Sequence, residues 1–208
     1  GIRFTACADG LEIPVSVPIP GRFTVYNTLT VLGIAKALGV SLTDAAEALR
    51  TVEGVKGRIE VVPTPGKDYT VLIDYAHTPD ALENVLQTIE EVRQGDQRLI
   101  VVCGCGGDRD RTKRPEMAAI AVRYATTAIF TSDNPRTEAP EAILDDMIAG
   151  VGTSKNWLRI TDRREAIRTA AMLAHAKDII LIAGKGHEDY QIIGTEKHHF
   201  DDREEIRN

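Results

Sequence analysis

The feature that most constrains the fold is a repeated alternation of short apolar runs with amphipathic segments after residue 60. Five runs are typical of buried strands: TVLIDYA (70–76), RLIVVCG (98–104), TAIFTSD (127–133), WLRITD (157–162) and DIILIAGKG (178–186). The segments between them predict helices at 79–93, 115–125, 140–150 and 163–175. Strands that alternate with helices predict an α/β fold, with a mostly parallel sheet and helices on both faces.

The chain before residue 60 has a different pattern. Extended runs at 2–6 and 11–17 flank Asp9-Gly10, a hairpin signal, and helices are predicted at 28–38 and 43–50. We therefore expect two domains, residues 1–59 and residues 60–208. At the other end, a two-stranded ribbon at 190–193 and 197–201 is predicted to turn around Gly194.

Composition narrows the class of protein. A net charge of -6 argues against general binding to nucleic acid or to an anionic membrane. The sequence has no apolar stretch of membrane-span length and no signal peptide, and its three cysteines make no disulfide framework, which indicates a reducing cytoplasm. The chain starts with Gly1 rather than methionine, and we expect it to be cut from something longer.

Polar residues cluster where four of the predicted strands end. These clusters are 74–77, 104–114, 133–136 and 184–188. Open parallel sheets bind ligands beyond the carboxyl ends of their strands, so one edge of the sheet is the expected site. In the first cluster, Asp74 could hold a ribose hydroxyl or a metal-bound water and His77 could contact phosphate, or the segment could be only a turn capped by Thr78.

The glycine-rich motifs fit no common nucleotide loop. GCGGDRDRTKRP (104–115) has Arg109 where a dinucleotide fingerprint needs its third glycine, and GKGHEDYQ (184–191) lacks the spacing of a phosphate loop. The first motif is either a cationic patch for an anion or a solvated basic loop; its basic residues are Arg109, Arg111, Lys113 and Arg114. Glu188 is either a ligand-binding carboxylate or a surface acid.

Two thiols, Cys103 and Cys105, make a poor zinc site. We expect them to be small buried residues and assign no metal ligand.

Four motifs in this order carry a resemblance: DYAHTPDAL, GCGGDRDRTKRP, DNPRTEAP and AGKGHEDYQ. Together they resemble the C-terminal domain of the Mur ligase family, and the resemblance covers essentially the whole chain. Residues 1–59, with GRFTVYN and GVKGRIE, resemble the end of the central ATPase domain of that family. Residues 60–208 resemble its Rossmann-like, amino-acid-binding C-terminal domain.

The resemblance implies an ATP-dependent amide-bond ligase that works through an acyl phosphate in peptidoglycan precursor synthesis. The implied substrates are ATP with Mg²⁺, meso-diaminopimelate and UDP-N-acetylmuramoyl-L-alanyl-D-glutamate, and the expected state is a cytoplasmic monomer that binds neither nucleic acid nor membrane. The phosphate loop, magnesium ligands and UDP-sugar domain of the family lie upstream. We therefore expect this segment alone to be inactive, and we assign no catalytic residue in it.

The resemblance also implies roles for single residues. Arg136 would grip the far carboxylate of diaminopimelate bidentately, with Asn134 and Pro135 beside it. Arg109 would be a second carboxylate partner, Gly184 would supply a backbone contact, and Glu188 would pair with the far ammonium. The positions that match nucleotide contacts of the family are Asn27, Arg58, Asp74 and His77.

Three alternatives stay open. The first is another ligase of the same fold, such as a folylpolyglutamate or cyanophycin synthetase, which DNPR together with GKGHEDYQ disfavours. The second is a nicotinamide-dependent oxidoreductase, which the failed glycine fingerprint disfavours. The third is a non-catalytic ligand-binding module. Binding of diaminopimelate, lysine and a nicotinamide cofactor would separate them.

Overall fold

A computed structural model describes residues 1–207, which divide into two compact units. The first unit contains residues 1–55 and 88–92, and the second contains residues 56–87 and the chain from residue 93 onward.

The first unit is built on a hairpin. Strands β1 (Ile2–Ala8) and β2 (Leu11–Val17) pair antiparallel, and they are followed by helix α1 (Arg22–Ala37), helix α2 (Leu42–Ala48) and a 3-10 turn (Leu49–Thr51). The Ser41 hydroxyl caps α2 by accepting from the backbone N–H of Asp44. The buried core is small and contains Ala6, Ile13, Val15, Val17, Leu32 and Ala46.

Helix α1 begins six residues earlier than the predicted start at residue 28. Its buried face includes Thr24, Thr28 and Leu32, spaced four residues apart. Two of these three residues are threonines, so the apolar period that marks a helix in sequence is weak at this end. On the solvent side, α1 exposes several large apolar residues: Tyr26, Leu29, Val31 and Ile34.

The second unit is a six-stranded sheet in the order β3-β4-β8-β5-β6-β7. The strands are β3 (Glu60–Val62), β4 (Thr70–Asp74), β5 (Leu99–Cys103), β6 (Thr127–Phe130), β7 (Trp157–Arg159) and β8 (Ile179–Ala183). All neighbouring pairs are parallel except β3 and β4, which run antiparallel. The sheet confirms the predicted α/β class.

Four helices connect the strands: α3 (Pro79–Val92), α4 (Lys113–Tyr124), α5 (Pro140–Ile148) and α6 (Arg163–Leu173). Ala166, Ile167 and Ala170 of α6 join the core on one face of the sheet. Met117, Ala118 and Ala121 of α4 are buried outside that core, and α4 contacts β5 and β6, which places it over the other face. The expectation of helices on both faces is confirmed.

The chain ends in the predicted ribbon and in one helix that was not predicted. β9 (Tyr190–Ile193) and β10 (Glu196–His199) pair antiparallel around Gly194, and α7 (Asp202–Arg207) follows. β3 was also missed, because three residues are too few to show a period, and α7 was missed because its sequence DREEIR carries a single apolar residue.

The two units differ in how much of their side chains is buried, and this difference predicts different local stability. The backbone amides of β4, β5 and β8, whose side chains are mostly fully buried, should exchange with solvent far more slowly than those of β1, β2 and α1, which rest on a six-residue core. Hydrogen exchange followed by mass spectrometry tests this. Equal protection in the two sets would contradict it.

Candidate functional site

Four strand ends meet at one edge of the sheet in the second unit. β4, β8, β5 and β6 are consecutive parallel neighbours, so the loops that follow them lie side by side. Backbone hydrogen bonds join these segments. The N–H of Gly184 donates to the carbonyl oxygen of Asp74 at 3.0 Å, and the N–H of Gly107 donates to the carbonyl oxygen of Asn134 at 2.9 Å. The predicted edge is where the candidate site residues of this unit lie.

The loop after β5 and the loop after β6 approach as closely as backbones can. A Cβ added at Gly107 would lie 1.9 Å from the carbonyl oxygen of Pro135, so only glycine fits there. Pro135 itself is buried. This contact positions the segment 134–136 against the glycine-rich motif.

Arg136 is held by its backbone and presents a guanidinium that has no carboxylate partner in residues 1–207. Its φ is 53°, its N–H donates to Ile192 at 3.1 Å, and its carbonyl accepts from the N–H of Gly194 at 2.8 Å. Its Nη1 donates to the carbonyl oxygens of Gly107, at 2.9 Å, and Asn134, at 3.4 Å. The loop and the ribbon therefore fix the Arg136 backbone and leave the positive charge for a ligand.

Arg109 lies near the same glycine loop. A Cβ built at Gly106 would lie 2.9 Å from Nη1 of Arg136 and 3.8 Å from Cγ of Arg109. Arg109 is exposed, and its Nη1 donates only to the neighbouring carbonyl of Asp108, at 2.9 Å. Two arginines without a carboxylate partner in the described chain thus flank Gly106, which suits a carboxylate or phosphate.

Asn134 connects this region to Glu188. The Asn134 amide donates through Nδ2 to Oε2 of Glu188 at 2.9 Å, and its Oδ1 accepts from the backbone N–H of Ile192 at 2.9 Å and from Nζ of Lys185 at 3.2 Å. Glu188 is partly buried, with a side-chain exposure of 13%. Its Oε2 also accepts from Nζ of Lys185 at 3.3 Å, and because a carboxylate has about four acceptor positions, Glu188 can still accept from a ligand ammonium.

Gly184 begins the loop that carries Lys185 and Glu188. Its φ is 116°, and a Cβ there would lie 2.7 Å from Oδ2 of Asp133. The loop after β8 therefore packs closely against the loop after β6 at this point. The structure brings together Asn134, Pro135, Arg136, Gly184 and Glu188, with Arg109 beside them.

The prediction of a cationic patch is wrong for two of its four basic residues, Arg111 and Arg114. Arg114 is fully buried and pairs with Glu138 through two hydrogen bonds of 2.7 and 2.9 Å and with Asp146 at 2.8 Å. Arg111 also pairs with Asp146, at 2.9 Å. These arginines stabilise the loop rather than offer a charge, because acids from the next loop and from α5 neutralise them.

The nucleotide candidates of the second unit surround Tyr75. The guanidinium of Arg58 lies 5.0 Å from the centroid of the Tyr75 ring, and the His77 ring lies 4.6 Å from it. Arg58 and His77 are exposed. His187, which the sequence reasoning did not single out, lies 5.0 Å from the same ring.

Asp74 ends β4 and is 6% exposed. Its two carboxylate oxygens accept from the backbone N–H groups of Ile59, at 2.8 Å, and Ala76, at 2.7 Å. Burial raises the pKa of this carboxyl, and the two backbone bonds and nearby Arg58 oppose the shift. Asn27 belongs to the first unit, where it is an exposed residue of α1.

Among residues 1–207 there is no cluster of three or more His, Cys, Asp or Glu that could hold a metal ion. Within the same residues, no helix is long and apolar enough to span a membrane.

Comparison with protein families assigns the domain that carries this edge. Residues 57–186 match the family model described as Mur ligase, glutamate ligase domain. The chain belongs to the Mur ligase family. A UDP-N-acetylmuramoyl-L-alanyl-D-glutamate–2,6-diaminopimelate ligase of Bacillus cereus is 54% identical over 204 residues, which are 98% of this chain and 41% of the relative. The ligase of the same name from Thermosynechococcus vestitus is 53% identical over 92% of this chain and 38% of the relative.

Solved structures agree with this assignment. A structure of UDP-N-acetylmuramoyl-L-alanyl-D-glutamate–2,6-diaminopimelate ligase superposes with a TM-score of 0.70 at 42% identity and covers 99% of this chain and 42% of that one. The folylpolyglutamate synthase of Thermotoga maritima, at 22% identity and a TM-score of 0.66 over 88% of this chain and 40% of that one, shares the fold. The chain thus spans about two fifths of the length of these Mur ligase relatives.

The buried Arg114 pair predicts a pH-dependent stability. The hydrogen-bonded guanidinium of Arg114 lowers the pKa of Glu138 from its usual 4.5 to about 2. A carboxyl whose folded-state pKa is depressed stabilises the fold above its unfolded value and loses this contribution as the pH falls through its folded value. Glu138→Gln should therefore lower the free energy of unfolding at pH 6, and the difference from the unchanged protein should shrink between pH 4.5 and pH 2.

Urea unfolding at several pH values measures this difference. Leaving a buried charge without any partner typically costs about 3–5 kcal/mol. The decrease in the free energy of unfolding caused by Glu138→Gln at pH 6 should be smaller than this, because Asp146 remains beside Arg114. Glu141→Gln, which changes an exposed acid in the first turn of α5, is the matched control. A pH-independent difference would contradict the ion-pair explanation.

Proposed function

We propose that this chain is the amino-acid-binding part of an ATP-dependent ligase that adds meso-diaminopimelate to UDP-N-acetylmuramoyl-L-alanyl-D-glutamate. One observation carries the proposal: Asn134 links the loop of Arg136 to Glu188, so a cation and an anion face the same strand edge. The relatives that share about half of its residues carry the name of this activity, which supports the proposal.

The charges fit the far end of diaminopimelate. That end carries a carboxylate and an ammonium, whereas lysine carries only an ammonium. In the proposed complex, Arg136 binds the carboxylate with a planar pair of N–H donors, and Arg109 adds a second positive charge. Glu188 receives the ammonium, and Gly184 offers its backbone beside it. Asn134 and Pro135 keep these groups at fixed spacing.

Binding the far end of diaminopimelate orients its near amine, which forms the new amide bond. In the proposed reaction, the dipeptide carboxylate takes a phosphoryl group from ATP and ADP is released. The neutral near amine of diaminopimelate then attacks the acyl carbon, and phosphate and the amine proton leave as the amide forms. Fixing the far end of the amino acid turns the attack into a step between bound groups, which lowers the entropic part of the barrier. This positioning is the contribution that we assign to residues 109, 134–136, 184 and 188.

The nucleotide would lie near Tyr75. In this proposal Arg58 and His77, both exposed beside the ring, contact phosphate, and Asp74 contributes polar contacts. Asn27, in the first unit, stays a nucleotide contact on the family resemblance alone. ATP supplies the phosphoryl group, and on the family resemblance its magnesium would be bound mainly by the part of the protein upstream of this chain. We propose further that residues 1–59 are the end of the ATPase domain, an assignment supported by the start of the family match at residue 57.

Arg136→Ala tests the carboxylate contact. In the complete protein encoded by the reading frame, we expect the KM for diaminopimelate to rise at least about 30-fold, because losing one partner of a desolvated charge pair costs about 2–5 kcal/mol. The KM for ATP should change little, and discrimination against lysine should narrow. Arg136→Lys should restore only part of the loss, since an ammonium cannot form the planar pair of bonds.

Arg168→Ala is the matched control. Arg168 is an arginine of α6 whose side chain is half exposed and whose Nη1 bonds Glu165 within the same helix. Steady-state kinetics with diaminopimelate, lysine and glutamate, with the melting temperature of each variant, complete the experiment. Unchanged selectivity in Arg136→Ala would contradict the carboxylate contact, and preference for glutamate in the unchanged protein would favour a folylpolyglutamate-type ligase.

A further inference from the structure

Lys185 is a buried lysine at the centre of the candidate site. Its side chain is fully buried, and its Nζ lies 3.2 Å from Oδ1 of Asn134 and 3.3 Å from Oε2 of Glu188. The Tyr190 ring covers the ammonium, with its centroid 5.4 Å from Nζ. A charged amine is rarely buried without a partner, and here both partners are proposed ligand-binding residues.

Burial excludes direct contact between Lys185 and a ligand. Its ammonium has no exposed surface, so any effect on binding passes through the groups that it touches. The backbone holds the side chain in this place: the carbonyl of Lys185 accepts from the N–H of Glu188 at 2.9 Å, and the next carbonyl, of Gly186, accepts from Nη2 of Arg203 at 2.9 Å.

The first effect of Lys185 is on Asn134. An amide presents an acceptor oxygen and a donor nitrogen that can exchange places by rotation. Here Oδ1 accepts from Lys185 and from the backbone of Ile192, and Nδ2 donates to Glu188. Lys185 can only donate, so a rotated amide would set donor against donor. The ammonium and the Ile192 N–H, both donors, therefore act together to fix the direction in which Asn134 donates.

The second effect is on Glu188. Its Oε2 accepts from both Lys185 and Asn134, which fixes the plane of the carboxylate through two bonds. A carboxylate has about four acceptor positions, so a third, ligand ammonium can bind without displacing Lys185. Without Lys185, Glu188 would keep its charge and its hydrogen bonds to Asn134 and Tyr190 but lose the cation that holds it in place.

We propose that Lys185 is a positioning residue for amino-acid recognition: it fixes the Asn134 amide and the Glu188 carboxylate in one arrangement that receives the ammonium end of the substrate. This inference rests on the proposed function, because it assigns Glu188 to the ligand. It adds a residue that contacts no ligand yet sets the geometry of two that do.

A double-mutant cycle in the 208-residue chain tests the proposal. Binding of meso-diaminopimelate is measured by calorimetry for Lys185→Met, Glu188→Gln and the double variant. Lys185→Met should weaken binding at least about tenfold in the unchanged background. In the Glu188→Gln background the same change should weaken it less than about threefold, because a residue that acts through Glu188 has little left to act on.

Lys197→Met is the matched control, since Lys197 also lies against the Tyr190 ring, at 4.2 Å, but is exposed. It should leave binding within about twofold of the unchanged protein. Lys185→Gln keeps a donor without the charge and should fall between the unchanged protein and Lys185→Met. An equal factor for Lys185→Met in both backgrounds, or tighter binding by this variant, would overturn the proposal.

A second measurement separates this proposal from the proposed function. If the unchanged chain does not bind diaminopimelate, the proposed function loses its amino-acid site. The side-chain amide signal of Asn134 in a ¹⁵N spectrum then still tests whether Lys185 positions Asn134. That signal should shift and exchange faster with water in Lys185→Met than in the unchanged chain and in Lys185→Gln. An unaltered signal in Lys185→Met would overturn the positioning role, including when the variant is less stable.

Discussion

The position of β8 between β4 and β5 is the constraint on which the candidate site depends. Ile180 and Ile182 of β8 pair with Val71 and Ile73 on one side and with Ile100 and Val102 on the other, and all six lie in one buried layer. This register brings the loop of β8 to the same edge as the loops of β4, β5 and β6. Glu188 then reaches Asn134 across the loop after β5.

The arginines of this edge differ in what surrounds them. Arg114 is fully buried and forms ion pairs with two carboxylates. These ion pairs hold the loop after β5 against the loop after β6. Arg136 has a fixed backbone but donates only to carbonyl oxygens within residues 1–207. A structural role would favour a neutralising acid next to Arg136. The rigid backbone and the unneutralised charge together favour recognition of an anion.

The sequence predicted the parts of this arrangement that depend on local pattern. Apolar runs and helical periods located five parallel strands and the edge where the loops cluster, but the insertion of β8 depends on pairing between distant residues and leaves no local signal. Arg109 and Arg114 look alike in the motif GCGGDRDRTKRP, and only the fold shows that Glu138 and Asp146 neutralise one of them. Lys185 stands inside the motif GKGHEDYQ, but its burial could not be read from two flanking glycines.

A crystal structure of the protein with bound meso-diaminopimelate tests whether the loop of Arg136 and the carboxylate of Glu188 together receive the far end of this ligand. We expect one ligand carboxylate within hydrogen-bond distance of two Arg136 nitrogens, and the adjacent ammonium within hydrogen-bond distance of Glu188. A ligand bound with its far carboxylate away from Arg136, or with Glu188 contacting no ligand atom, would contradict it.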